Sequence, residues 1–115
     1  MMILRRADEV KIDAIEEKGA SGVSIRWLIA QPEGASNFAM RLFDLAPGGY
    51  TQLHEHPWEH VVYILDGNAE VESAQGAQTV AHGDSLLLMP DERHQFRNRG
   101  NDVLRFLCMI PLKRT

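Results

Sequence analysis

Along most of this chain apolar and polar residues alternate in short runs, and few stretches keep a helical period. Alternation with a period of two marks a strand with one buried face. Residues 23–30, 38–45, 60–65, 69–73, 78–81, 85–89, 94–97 and 103–110 read as strands. Turn residues separate them: Pro32-Glu33-Gly34, Pro47-Gly48-Gly49, Asp66-Gly67, Gln75-Gly76, His82-Gly83-Asp84, Pro90-Asp91 and Arg99-Gly100-Asn101. Asp66-Gly67 is a strong hairpin signal. Pro47-Gly48-Gly49 is expected to close the second run. Residues 7–18 are the one place where a helical turn or two is expected, stopping at Gly19.

Many short strands at this spacing predict an all-β fold, a sandwich or barrel. No linker, low-complexity segment or internal repeat interrupts the 115 residues, so one domain is expected over 1–115. Within it, 1–22 form an N-terminal segment and 23–112 a barrel. Parity then sorts the side chains. In the last strand Arg105 faces out, so Leu104, Phe106, Cys108 and Ile110 face in. His60, Val62 and Ile64 share one face. After Pro90, Gln95 and Arg97 are expected outside, with His94, Phe96 and Asn98 inside.

Charge and composition exclude more than they identify. A formal charge of −4 argues against nucleic acid, which needs a concentrated basic face. Arg93, Arg97 and Arg99 cluster, but as a solvated strand edge that also discourages unwanted pairing. No apolar run has the length of a membrane span. Residues 1–10 are too charged for a signal peptide. The single cysteine, Cys108, forbids an internal disulfide framework. A cytoplasmic protein is the expectation.

The chemistry sits in the histidines. Three of the five lie in His54-Glu55-His56-Pro57-Trp58-Glu59-His60. His54 and His56, two apart on extended chain, point to one side with Cα atoms roughly 6.5 Å apart. That suits two imidazoles on one ion, with bonds of about 2.0–2.3 Å. His94 arrives from a distant strand on an inward face. A lone inward histidine is usually a hydrogen-bonded core residue, and His82, in a turn, is expected off-site. Four rings converging are hard to satisfy without a metal, since burying them unpaired costs kilocalories each.

Two motifs then carry a resemblance. Gly48, His54, His56, His60 and Gly67 are spaced as in the first motif of the cupin superfamily, with His60 at the usual glutamate position. Gly83, Pro90, His94 and Asn98 resemble the second, with Met89 and Asp91 replacing the family's proline and glycine. The resemblance implies a single-domain antiparallel β-barrel of cupin, double-stranded β-helix or jelly-roll type. A longer match resembles the small manganese-binding monocupins of thermophilic bacteria: Asn37-Phe38-Ala39-Met40-Arg41-Leu42-Phe43, Pro47-Gly48-Gly49, the histidine cluster, and Phe106-Leu107-Cys108. It implies His54, His56, His60 and His94 as ligands of one divalent metal, with Arg41, Phe106 and Cys108 near it. It also implies a homodimer and oxidative chemistry.

Four neutral ligands would leave the ion its full charge, favouring Lewis acidity and anionic ligands. Manganese is the leading metal, and Fe, Ni, Zn or Cu fit the same donors. A six-coordinate ion would keep two positions for substrate, water or oxygen. Glu55 and Glu59 are expected to point outward, and Trp58 to line the mouth or pack over the barrel end. Arg41 reads as an orienter of an acidic substrate or as a solvated arginine, and Asn98 as a turn cap. The expected function is a metal-dependent oxidoreductase, dioxygenase-like, on a small organic molecule. The alternatives are a non-catalytic ligand-binding module and a metal-dependent isomerase or lyase.

Overall fold

A computed structural model describes residues 1–113. The last two positions of the expected domain lie outside the described residues. Nine strands follow in order: β1 (Asp13–Ala14), β2 (Ser21–Ile29), β3 (Phe38–Tyr50), β4 (His60–Asp66), β5 (Asn68–Ser73), β6 (Gly76–Ala81), β7 (Ser85–Leu88), β8 (Gln95–Arg97) and β9 (Leu104–Pro111). Every ladder between them is antiparallel. One curled sheet runs β6-β5-β8-β3-β9-β4-β7, with β2 on β3 and β1 on β2. Among the described residues no helix is long and apolar enough to cross a membrane.

Four expectations change. Residues 7–18 hold only a single 3-10 turn, Ala7–Glu9; the chain then extends into β1. Asp13 and Ala14 pair with Ile25 and Ser24 of β2, and Ile15 packs on the core. An unpaired edge of β2 offers the backbone more than a short isolated helix would.

Pro47-Gly48-Gly49 does not close its strand. Val23 faces Leu45 while Ser21 faces Tyr50, so five steps on β3 match two on β2. The extra residues form a bulge, which bends the strand. A Cβ on Gly49 would stand 2.8 Å from the Ala46 carbonyl oxygen and 2.9 Å from that of Ser21. Beyond the bulge β3 leaves β9 and pairs Tyr50 with Arg97 of β8. The bend aims the following segment, with His54 and His56, back across the sheet.

Asp66-Gly67 turns the chain without making a hairpin. β4 pairs with β7 and β9, and β5 with β6 and β8. Gly67 is pressed against β9: an added Cβ would lie 2.9 Å from the Val103 carbonyl oxygen. Its φ of 85° suits only a residue free of Cβ strain. The chain therefore crosses to a different part of the sheet.

The parity of β4 and β9 holds. His60, Val62 and Ile64 are buried, as are Leu104, Phe106, Cys108 and Ile110. Phe43, Phe106 and Phe96 form a stack, with centroids 4.9 and 4.5 Å apart. Each such side chain contributes about 1.5–3 kcal/mol by leaving water. His94, Phe96 and Asn98 are inside too. Gln95 is the exception: it is buried, and its Nε2 donates to the Thr51 carbonyl at 2.8 Å. The segment leaving β3 crosses over β8 and covers the face expected to be wet. Asn98 caps its turn, donating from Nδ2 to Leu45 and Asp102 carbonyls and accepting from Gly100 N–H.

Candidate metal centre

The site begins at a backbone bridge. His54 and His94 exchange main-chain hydrogen bonds, His54 N–H to His94 O at 3.2 Å and His94 N–H to His54 O at 3.0 Å. Two segments forty residues apart are thereby held side by side. A second tie fixes the loop between His54 and His60: the Asp91 N–H donates to the His56 carbonyl at 2.6 Å. Asp91 sits at φ 66°, in the left-handed region where aspartate is tolerated. His60 enters as the first residue of β4, opposite Leu88.

These anchors gather all four rings on the wall of a cavity of about 180 Å³. Ring centroids are separated by 4.3 Å for His54–His56, 4.8 Å for His60–His94, 5.1 Å for His54–His94 and 5.3 Å for His56–His60. His56 also stacks on Trp58, at 4.4 Å. His82 is exposed in its turn and takes no part in the cavity wall. Glu55 and Glu59 are exposed. Among the described residues no three His, Cys, Asp or Glu side chains form a ready-made metal site.

The donor chemistry nonetheless fits a cation. His94 Nδ1 lies 2.9 Å from the Glu92 carbonyl oxygen. A carbonyl only accepts, so Nδ1 carries the proton and Nε2 keeps its lone pair. That is how an outer hydrogen bond sets a metal-binding tautomer. His60 is buried, and its Nδ1 has no hydrogen-bond partner. Burial first, then the neighbouring His56 and His94 and the Arg41 charge, push His54 down to about 4. Burial and the same kind of neighbours, His94 and Arg41 foremost, push His60 down to about 3. Both rings are neutral at pH 7, the state a metal requires.

The cavity wall is apolar, with Val23, Ile25, Phe43, Leu88, Phe96 and Phe106 among its lining residues. Arg41 and Cys108 face each other across β3 and β9 and also line it. Arg41 is thus an inward, half-buried residue, and its Nη2 donates to Cys108 Sγ at 3.0 Å. Burial pushes the Cys108 thiol up, while Arg41 pulls it the other way. Sequence parity had no means of finding two supports: the Glu92 carbonyl behind His94, and Trp27, whose ring lies 5.4 Å from the Arg41 guanidinium. Both depend on tertiary placement.

The Cupin domain family model matches residues 41–110. The chain belongs to the cupin domain family. Its curled antiparallel sheet is the jelly-roll of that family, and the bulge and the histidine loop are the parts of the jelly-roll that build the site. Among curated relatives, a 1-methylthio-D-xylulose 5-phosphate methylsulfurylase from Rhodospirillum rubrum is 33% identical over 75 residues, 65% of this chain and 48% of that protein. The polyketide synthase CurC of Streptomyces cyaneus is 33% identical over 85% of this chain and 65% of its own length. The cupin chain thus spans about half to two-thirds of these two relatives. Among solved structures, the polyketide cyclase RemF from Streptomyces resistomycificus superposes with a TM-score of 0.92 at 33% identity, covering 99% of this chain and 82% of that one.

Proposed function

We propose that this cupin is a metal-dependent enzyme acting on a small organic molecule, with one divalent ion on His54, His56, His60 and His94. The observation that carries this reading is the 2.9 Å contact between His94 Nδ1 and the Glu92 carbonyl oxygen, which favours a proton on Nδ1 and leaves Nε2 free to act as a donor atom. The neutral state of His54 and His60 supports it. Manganese is the leading metal, and Fe, Ni, Zn or Cu suit the same nitrogens. Bound there, the ion would supply Lewis acidity and, as manganese or iron, oxidative chemistry.

The chain's own residues supply the rest. The stacked phenylalanine rings give the cavity an apolar wall. A cavity near 180 Å³ is slightly larger than one that holds a benzene ring, about 150 Å³. The reacting part of the substrate is therefore of one-ring size, and anything longer projects through the mouth. Oxidation of the dioxygenase type is the leading reaction. Ring-closing or isomerising chemistry on the same ion is the second, favoured by the likeness to a polyketide cyclase over nearly the whole chain.

A row of apolar residues crosses the outer face in register: Leu87, Val61, Met109, Met40 and Ile29. Leu87 and Val61 are exposed. Pairing of two such faces about a twofold axis gives the homodimer, and light scattering at micromolar concentration should return twice the chain mass. A monomer there rejects the dimer.

The function is tested by elemental analysis followed by turnover. One metal per chain with substrate-dependent oxygen uptake supports the oxidoreductase. Turnover unchanged under anaerobic conditions moves the assignment to Lewis-acid chemistry. Binding of small molecules without turnover leaves a binding module.

A further inference from the structure

We infer that the molecule bound in this cavity is an anion, a carboxylate with an apolar body of about one-ring size, and that Arg41 is the residue that receives its charge. The inference rests on the cavity being the substrate site. Four other arginines have carboxylates: Arg26 and Arg105 share Asp44, Arg5 meets Glu33, and Arg99 meets Glu70. Half-buried Arg97 lies over the Tyr50 ring, 5.0 Å away, and does not line the cavity. Arg41 has none among the described residues. Its Nη2 is bonded to a thiol, a weak acceptor, and its Nε is buried without a hydrogen-bond partner.

A guanidinium left in that state is costly, since a desolvated charge needs an opposite charge or strong acceptors. The protein does hold it in place. Trp27 and Phe43 lie 5.4 and 4.9 Å from its carbon, an arrangement that positions a cation without neutralising it. The row Trp27, Arg41, Cys108, Val62 runs in register across β2, β3, β9 and β4 on the inner face. Arg41 is therefore fixed to rigid sheet and not to a loop. The carboxylate found lining the cavity, Glu17, is exposed and makes no ion pair with it.

The missing negative charge is best supplied by the ligand. Arginine's planar fork matches a carboxylate with paired N–H···O bonds, more strongly than it matches a neutral carbonyl. The stacked Phe43, Phe106 and Phe96 rings beside it suit an apolar body on the ligand. Arg41 and the four histidines line the same cavity, so a carboxylate on Arg41 keeps the rest of the molecule within that space.

Benzoate and its neutral isostere benzamide test this. Each is titrated calorimetrically into the purified protein, with metal content measured on the same sample. Benzoate should bind at least tenfold more tightly than benzamide. In Arg41→Gln the two affinities should become equal, and Arg41→Lys should recover part of the preference. Equal binding of both probes by the wild-type protein overturns the inference without recourse to any variant. Benzoate affinity unchanged in Arg41→Gln overturns it too, since the carboxylate would then sit on the metal or elsewhere. Carboxylate preference through Arg41 in protein that takes up no metal would keep this inference and remove the metal-centre reading. One metal per chain with no carboxylate preference would do the reverse.

Discussion

His54 and His94 are bound to each other twice through their backbones, and their imidazoles meet edge to face at 5.1 Å. The bridge makes the two side chains a unit before any ion arrives. Organising ligands in advance lowers the entropy lost on binding. Replacing His94 by alanine keeps the bridge and removes one donor, so the loss should fall on metal affinity and not on folding. Metal retained after dialysis, read by elemental analysis, should drop at least tenfold in His94→Ala and stay at the wild-type level in His82→Ala. Equal retention by the two variants would sink the four-histidine assignment.

The buried rings also tie stability to pH. An unfolded histidine takes up a proton near pH 6.5. In the folded chain His54 does so only at about 4 and His60 at about 3. Between those limits the unfolded state holds more protons, so stability falls as pH falls. About one unit above pH 6.5 and higher, both states are neutral and the contribution is flat. The melting temperature of metal-free protein should therefore decline by roughly 8 °C per unit from pH 6.5 to 5. The decline should shrink in a His54→Gln, His60→Gln double variant. That range keeps most carboxylates ionised, which separates the histidines from them. A double variant with an undiminished slope would assign the effect to other groups.

The strands and their buried faces were legible because period-two alternation is a local property. Val62, Ile64, Leu104, Phe106 and Ile110 could be assigned inward from parity alone, and the histidine spacing pointed to one site. What was not legible depends on where strands go next. Gln95 has polar parity, yet the segment after β3 covers it. Asp66-Gly67 has hairpin chemistry, but contact of Gly67 with β9 sends the chain elsewhere. Arg41 alternates like a core residue and carries a charge, so sequence left two readings. Only its pairing opposite Cys108, with Trp27 and Phe43 beside it, decides for the cavity.

Asp91 offers a test of backbone strain near the site. Its φ of 66° is one that β-branched residues avoid, and its N–H holds the His56 carbonyl. Asp91→Gly relieves strain but adds freedom to the unfolded chain, so the net change should lie within about 0.5 kcal/mol. Asp91→Val should cost about 1–2 kcal/mol and loosen the histidine loop. Urea denaturation of both variants checks the difference. Equal stability of the valine and glycine variants would show that the turn relaxes to another conformation.

The last prediction concerns Cys108 as a reporter of redox chemistry in the cavity. The side chain is buried, lines the same space as His54 and His60, and accepts a hydrogen bond from Arg41. Burial keeps the sulfur as a thiol, which reacts slowly with peroxide, because thiolate is the nucleophile. Arg41 works against burial, and a divalent ion on the histidines would add a second positive charge favouring thiolate. Attack on hydrogen peroxide transfers one oxygen to sulfur, giving sulfenic acid, and the second oxygen leaves as water. Oxidation of Cys108, followed by mass spectrometry, should therefore run at least several-fold faster in manganese- or iron-loaded protein than after chelation. Arg41→Gln should slow it in both forms by removing the nearer charge. A rate independent of metal would separate Cys108 from any redox-active ion and shift the balance toward a cupin that binds its ligand without oxidising it.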